Sequence, residues 1–96
     1  MTTDNQPLDI RHDLAAHRFT VTVDGVACVL DYRLEGTRMS ITHTGVPEQV
    51  GGRGIASALV NAAFEAARAE GWKVAPACSY AAAWVLRHPE VATLLA

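Results

Sequence analysis

Three glycines fall within four positions, at Gly51, Gly52 and Gly54, between a segment of alternating apolar residues and a segment with helical spacing. A glycine inside a helix costs ~1 kcal/mol relative to alanine, and glycine also weakens strand interiors. The segment therefore predicts a turn between a strand and a helix. A bare backbone lets successive N–H groups converge, and the positive end of a helix dipole behind them favours an anion such as phosphate.

The same glycines are compatible with a tight strand-to-helix connection that binds nothing. No Gly-Lys-Ser/Thr follows them, which excludes a Walker loop. Gly52-x-Gly54-x-x-Ser57 lacks the third glycine of a dinucleotide fingerprint and follows antiparallel strands, so it matches that motif poorly. A phosphate site of another class and a purely structural turn both stay open.

The segment before the glycine turn has the period of a β-sheet. Apolar and polar residues alternate over residues 19–23, and Asp24-Gly25 is then a favoured pair for a tight hairpin turn. A return strand over residues 26–34 and a third strand over residues 39–44 follow, separated by Glu35-Gly36. The first half therefore predicts a three-stranded antiparallel meander.

The segment after the glycine turn has the period of a helix over residues 55–67, and Gly71 stands where a left-handed C-terminal cap belongs. Residues 72–75 predict a short strand. Ser79 is expected to cap a second helix that runs to about Arg87, and residues 90–96 to form a last turn. The predicted order is β-β-β-α-β-α, an α/β (α+β) fold in which helices pack on one antiparallel sheet.

The size of the chain limits it to one core. With 96 residues, of which 50% are hydrophobic and 19% charged, residues 10–96 predict a single globular domain. Residues 1–9 are polar and lack periodicity, so we expect a loose arm there.

Charge and cysteine content exclude several classes of protein. Four arginines accompany seven carboxylates in the first 50 residues, and the rest carries four basic and three acidic residues, so neither half has the basic stripe of a nucleic-acid-binding surface. No long apolar span or basic leader indicates a membrane segment or a secretion signal. Cys28 and Cys78 belong to no CxxC or Cys/His cluster, so neither a disulfide framework nor a metal site is expected. We expect a cytoplasmic protein, monomeric or weakly dimeric.

The glycine turn resembles the acyl-coenzyme A loop of the GNAT acetyltransferases, whose Gln/Arg-x-x-Gly-x-Gly/Ala pattern is met by Gln49, Gly52 and Gly54. The chain also resembles the compact, single-domain YjdJ-type N-acetyltransferase-like proteins over residues 10–96. That resemblance is carried, in order, by His43-Thr44, Val46-Pro47, Gly52-Arg53-Gly54-Ile55-Ala56, Cys78-Ser79-Tyr80 and Arg87-His88-Pro89-Glu90. It implies a minimal GNAT-like fold that binds acetyl-CoA.

The resemblance further implies that main-chain amides from Val50 to about Ile55 hold the coenzyme's pyrophosphate. The pantetheine arm would pass between two strands that splay apart after the turn, with the thioester near the sheet centre and open to attack by an amine. Arg53 would add positive charge to the phosphate site. The residues assigned to the coenzyme site are Gln49, Val50, Gly51, Gly52, Arg53, Gly54, Ile55 and Ala56.

Two positions depart from the pattern of those proteins. Gly45 stands where they usually carry glutamate, which removes an obvious general base, and Gly51 replaces a commonly basic residue. His43 becomes a candidate base because imidazole takes up a proton near neutral pH. Strand alternation predicts that His43 shares a face with Met39 and Ile41, and a core-face histidine with a satisfied hydrogen bond is the alternative.

Cys78 and Tyr80 are the other catalytic candidates. Cys78 precedes the expected helix cap, so the helix dipole would favour its thiolate. The resemblance places this thiol near the donor's sulfur, for an acyl-cysteine intermediate or simple contact, whereas a buried inert cysteine is the alternative. A tyrosine that protonates the departing thiolate is familiar in the superfamily, but Tyr80 also forms a helical stripe with Trp84 and His88 that fits packing equally.

Three functions follow from these patterns. The first is an N-acetyltransferase that moves an acetyl group from acetyl-CoA to an exposed amine, on a protein lysine, a chain N-terminus or a small molecule. The second is a non-catalytic module that binds or senses coenzyme A, which the glycine at position 45 favours. The third is a helix-on-sheet interaction domain whose glycines serve packing alone. Neither nucleic acid nor a membrane is an expected partner.

Overall fold

A computed structural model describes residues 8–96, which form one mixed sheet with two α-helices. The strands are β1 (Arg11–Asp13), β2 (Arg18–Val23), β3 (Val26–Glu35), β4 (Arg38–Gly45) and β5 (Lys73–Pro76). The helices are α1 (Ile55–Glu70) and α2 (Ser79–Leu86), and 3₁₀ turns span Glu48–Val50 and Pro89–Leu94. Within residues 8–96, no helix combines the length and the apolar character needed to cross a membrane.

The predicted hairpin between β2 and β3 is confirmed. Val23 pairs with Val26, and the two turn residues, Asp24 and Gly25, have φ of 51° and 76°. Left-handed conformations at both central positions are those of a type I′ turn, whose twist matches that of the flanking strands. Strands β2, β3 and β4 therefore form the antiparallel meander that the alternation of apolar and polar residues predicted.

The sheet differs from the prediction at both edges. Arg11–Asp13 forms a fourth antiparallel strand beside β2, in a segment too short to show periodicity. At the other edge β5 pairs with β4 in parallel, so the sheet is mixed rather than antiparallel. The parallel pairing follows from α1, which returns the chain to the end of the sheet where β4 begins. Most of the expected arm lies outside the described residues, and Leu8, within it, packs against the core.

Helix α1 covers the sheet with the face that its spacing predicted. Its buried residues, all at most 2% exposed, are Ile55, Leu59, Val60, Ala63, Phe64 and Ala67. Full burial of a leucine or phenylalanine side chain stabilises the fold by ~1.5–3 kcal/mol, and the alanines allow the helix to approach the strands closely. Gly71 ends the helix at φ 77°, and its N–H donates to the carbonyl of Ala67, as the sequence predicted.

Both helices lie on one side of the sheet. Trp84 of α2 stacks on Phe64 of α1 with ring centroids 5.4 Å apart, and the buried side chains of β2 and β3 point to the same side. No helix within residues 8–96 covers the opposite side, which we call the open face.

Strand β4 contains a bulge that decides which residues reach the open face. His43 pairs with Asp31 and Ile41 pairs with Tyr32, so no residue of β3 lies opposite Thr42, whose Oγ1 donates to the Asp31 carbonyl at 3.3 Å. One extra residue reverses the alternation that follows it. The prediction that His43 shares a face with Met39 and Ile41 is therefore wrong: His43 lies exposed on the open face, and Thr44 faces the helices.

A cluster of aromatic and imidazole rings closes the core near β1. The His12 ring stacks on Phe19 with centroids 4.0 Å apart, and its Nε2 lies 2.7 Å from the Tyr32 hydroxyl. Burial lowers the pKa of His12, against an opposing effect of the Glu70 and Asp13 carboxylates. Burial also raises the pKa of Tyr32. Both shifts favour the neutral form of the group.

We expect the free energy of unfolding to decrease as the pH falls below 6.5, the ordinary pKa of histidine. The unfolded chain protonates His12 there while the folded chain resists protonation, so this contribution is complete above pH 6.5 and is lost as the pH falls toward the lower folded pKa. In His12→Gln the side chain can still hydrogen bond but cannot titrate, and the loss should be smaller. Urea unfolding between about pH 7.5 and 5 measures the difference.

The matched control is His43→Gln, which removes an exposed imidazole from the open face. His12→Gln should lose less unfolding free energy between about pH 7.5 and 5 than His43→Gln does. If the two variants lose the same amount, or if His12→Gln loses as much as wild type, the buried ring cluster does not have this role.

Candidate functional site

The glycine turn has the backbone conformation that only glycine adopts easily. Gly52 and Gly54 both have φ of 77°, in the left-handed region, whereas Gly51 is extended at φ −67°. A Cβ placed on Gly52 or Gly54 would meet nothing within 4 Å. The backbone dihedral angles, and not a shortage of space, therefore require glycine at these two positions.

Six consecutive amides in this turn have no hydrogen-bond partner within residues 8–96. Val50 N donates to the Pro47 carbonyl and Gly51 N to the Glu48 carbonyl, each at 3.1 Å. The next amide with a backbone acceptor is Ala58 N, 3.0 Å from the Gly54 carbonyl. The N–H groups of Gly52–Ser57 therefore have no acceptor among the residues that the structure describes, and we call them the amide row.

The amide row stands at the uncapped start of α1. Gly54 occupies the N-cap position without a side-chain hydrogen bond, and the first turn of α1 contains no acidic residue. Unpaired N–H groups and the positive end of the helix dipole are together the ordinary components of a phosphate or carboxylate site. The start of α1 therefore favours a bound anion, and no side chain of its first turn supplies a negative charge.

The eight residues that the resemblance assigned to a coenzyme site differ in whether their amides are free. Val50 has a buried side chain, 1% exposed, and its amide and that of Gly51 are already bonded, while Gln49 is exposed. Gly52, Arg53, Gly54, Ile55 and Ala56 all contribute to the amide row, and Ser57 adds an amide that sequence reasoning missed. The signal for Ser57 was available, since the first four N–H groups of any helix lack intrahelical partners.

Arg53 does not extend freely from the turn. Its Nη1 lies 2.7 Å from Oδ2 of Asp24, in the β2–β3 hairpin turn. The guanidinium is therefore committed to a carboxylate on the β3 side of β4, away from β5.

Strands β4 and β5 separate beyond Ile41. Their pairing runs only from Arg38 with Lys73 to Ile41 with Pro76, after which Cys78 N donates to the Ile41 carbonyl at 2.9 Å. Proline has no N–H to continue a ladder. From Thr42 to Gly45, β4 therefore has no strand on its β5 side within residues 8–96, and we call this unpaired edge the splay.

Cys78 lies on the helix side of this splay. Its Sγ accepts from Ala81 N at 3.4 Å and lies 3.5 Å from Thr44 Oγ1, so Cys78 and not Ser79 is the N-cap of α2. The expectation of a Ser79 cap was wrong by one residue, because the thiol takes the position that a hydroxyl usually fills. Cys78 is half-buried, whereas Cys28 is fully buried in β3.

His43 lies on the open face of the same splay. A Cβ added to Gly45 would lie 2.9 Å from His43 Nε2, so the imidazole occupies space beside a residue that has no side chain. The bulge at Thr42 and the glycine at position 45 act together: the first turns the ring to the open face, and the second leaves room for it. His43 and Cys78 therefore stand on opposite sides of β4.

The third catalytic candidate is not joined to the other two. Tyr80 is half-buried against the core, and its hydroxyl has no hydrogen-bond partner within residues 8–96. Trp84, one turn further along α2, is 1% exposed, and its Nε1 donates to Ser57 Oγ at 2.8 Å. His88 stacks on that indole with ring centroids 3.7 Å apart. Trp84 thus ties α2 to the first turn of α1.

Comparison with known proteins gives consistent matches. A sequence profile of the GCN5-related N-acetyl-transferase family matches residues 18–94. Protein NATD1 of Gallus gallus is 35% identical over 86 residues, covering 86% of this chain and 78% of that protein. NATD1 of Homo sapiens is likewise 35% identical over 86 residues, covering 86% and 76%.

The fold has a counterpart among solved structures. The NMR solution structure of a GCN5-like protein from Staphylococcus aureus matches with a TM-score of 0.74 at 25% identity, covering 93% of this chain and 88% of that one. The expected α/β fold is thereby confirmed, and so is the family to which the glycine turn pointed. The chain belongs to the GCN5-related N-acetyltransferase family.

Proposed function

We propose that this protein binds acetyl-CoA through the amide row and transfers the acetyl group to an exposed amine. The observation that carries the proposal is the set of six unpaired N–H groups at Gly52–Ser57, at the uncapped end of a 16-residue helix. Gly52, Arg53 and Gly54 are exposed, and no side chain caps the start of α1, so an anion that accepts hydrogen bonds can reach these donors from solvent.

The residues present fit a diphosphate. Gly52 and Gly54 have no Cβ to obstruct an approaching oxygen, and the space around both is clear to 4 Å. Gly52, Arg53 and Gly54 would hold one phosphate through the turn, and Ile55, Ala56 and Ser57 the other through the helix start. Acetyl-CoA would supply an activated thioester, and the protein's own contribution is to hold and orient it.

The splay supports a route for the pantetheine arm. Strand β4 ends its pairing with β5 at Ile41, and the chain then reaches Gly45 and the glycine turn. Beyond Ile41 no strand within residues 8–96 pairs with β4 on its β5 side, so backbone groups of β4 on that side are left for an extended ligand. Six residues, 46–51, separate this open edge from the amide row along the chain.

His43 is the base we propose for the acceptor. Its ring is exposed on the open face, where an amine on a protein surface, a chain N-terminus or a small molecule can reach it. Its Nε2 lies 2.9 Å from the position of a Cβ added to Gly45. The proteins that this chain resembles usually carry glutamate there, and in our proposal the imidazole takes the place of that carboxylate. In this role Nε2 accepts the proton that an ammonium must lose before it attacks.

Cys78 and Tyr80 belong to the helix side of the splay. Cys78 Sγ is occupied as the N-cap of α2 and contacts Thr44, so we assign it to the wall of the coenzyme site, with transfer direct to the amine. The Tyr80 hydroxyl is available on the same helix to donate a proton to the departing thiolate.

A non-catalytic coenzyme A module is the second candidate. The absence of a carboxylate at position 45 favours it, since an obvious general base is missing. The amide row would also bind a coenzyme without the help of any catalytic residue. Both functions require coenzyme binding, and only the first requires His43. Binding and turnover therefore have to be measured separately.

Binding is tested by the melting temperature of wild type, Gly52→Asp and Gly52→Asn with acetyl-CoA. At 100 times its Kd a ligand adds ~2.7 kcal/mol, which raises the melting temperature of a small domain by roughly 10 °C. The carboxylate of Gly52→Asp should abolish this shift, because it repels phosphate and fills the turn, whereas Gly52→Asn should keep part of it.

Gly36→Asp is the matched control for that series. Gly36 also has positive φ, 61°, and no atom within 4 Å of an added Cβ, but it lies in the β3–β4 turn. It should keep the full shift. If acetyl-CoA does not raise the melting temperature of wild type, only the interaction-domain function is left. If it raises that of Gly52→Asp as much as that of wild type, the amide row is not the binding site.

Turnover is tested by the release of free thiol from acetyl-CoA with a panel of amines. We expect His43→Gln to lose about 10²-fold or more of the amine-dependent rate, the usual contribution of a general base, while its coenzyme-induced melting shift stays. Cys78→Ser should keep most of the rate, because a hydroxyl preserves the helix cap. Wild-type release that does not depend on the amine would support the non-catalytic module, and full activity of His43→Gln would exclude His43 as the base.

A further inference from the structure

The ion pair between Asp24 and Arg53 joins two turns that lie far apart in the chain. The two atoms, Oδ2 and Nη1, are 2.7 Å apart, and the side chains are 66% and 49% exposed. Asp24 belongs to the β2–β3 hairpin and Arg53 to the glycine turn. Such exposed ion pairs add little to overall stability. The effect of this pair is therefore local, on the position of the two turns that it joins.

The glycine turn has no other side-chain anchor. Val50 and Ile55, at its two ends, are buried, and Arg53 is the only residue between them that is not glycine. Its bond to Asp24 is the one side-chain hydrogen bond made by Gly51–Gly54 within the described residues. Glycine backbones have the largest conformational freedom, so an untethered turn of this composition would adopt many arrangements of its amides.

The hairpin turn does not itself require aspartate. Asp24 has φ of 51°, a left-handed conformation in which asparagine is at least as well accepted. The turn is fixed by the ladder of β2 with β3, which pairs continuously from Arg18 with Asp31 to Val23 with Val26. A carboxylate at this place is thus a rigidly mounted partner for Arg53.

We propose that Asp24 is a positioning residue for coenzyme binding, which acts through Arg53. Its carboxylate holds the guanidinium on the hairpin side of the glycine turn, and this keeps the amide row in the conformation that accepts a diphosphate. The inference rests on the proposed function. Electrostatics alone predicts the opposite effect, because the removal of a carboxylate near an anion site should strengthen anion binding.

The test is calorimetric titration of the full chain with coenzyme A, using Asp24→Asn, Arg53→Gln and the double variant. Asp24→Asn keeps the hairpin turn and removes only the charge. Each single variant should bind roughly three- to tenfold more weakly, and the double variant no more weakly than either, because one interaction is lost in all three. Asp9→Asn, which removes the carboxylate of the exposed Arg11 pair at 2.9 Å, should bind as wild type does.

Tighter binding by Asp24→Asn would overturn the proposal, because Asp24 would then act only as a repelling charge. Weaker binding by Arg53→Gln with unchanged binding by Asp24→Asn would also overturn it, since Arg53 would contact phosphate directly. NMR relaxation of the ligand-free chain provides a second readout: the Gly52 and Gly54 amides should become more mobile in Asp24→Asn and not in Asp9→Asn. If wild type does not bind coenzyme A, the proposed function fails, and this mobility alone decides whether Asp24 positions the turn.

Discussion

Unpaired backbone donors at the start of α1 are the constraint on which the site depends. Left-handed Gly52 and Gly54 turn their amides out of any internal ladder, and no side chain caps the helix. The core holds this arrangement from both sides, since Val50 and Ile55 are buried and the indole of Trp84 donates to Ser57 in the first turn. A polarised, fixed and unsatisfied row of N–H groups binds an anion at little cost in reorganisation.

The bulge in β4 gives the site two sides. Because no residue of β3 lies opposite Thr42, Thr44 faces the helices with Cys78 while His43 faces the open side of the sheet. The same strand therefore presents a thiol environment to one side and an exposed imidazole to the other. In the function proposed above, the helix side would hold the acetyl donor and the open face would admit the acceptor.

Local patterns in the sequence predicted what is local in the structure. The Asp24-Gly25 turn, the buried face of α1 and the Gly71 cap depend on residues close in the chain, and all three are found as expected. Two local features were missed, the cap of α2 at Cys78 and the free amide of Ser57, and the other missed features depend on pairing across strands. The three-residue β1, the parallel partner of β4 and the extra residue at Thr42 leave no mark on alternation, and the bulge alone moved His43 to the other face. The Asp24–Arg53 contact also joins residues 29 positions apart, so no local pattern in the sequence indicates it.

The most direct measurement of the central claim is amide hydrogen exchange across the glycine turn, without and with coenzyme A. Without ligand, the N–H groups of Gly52–Ser57 should exchange rapidly, because none has an acceptor within the described residues, while Val50 and Gly51 are protected by their carbonyl partners. With ligand, the six amides should become protected together. Protection of this row in the free protein, or binding of coenzyme A that leaves the row unprotected, would contradict the account.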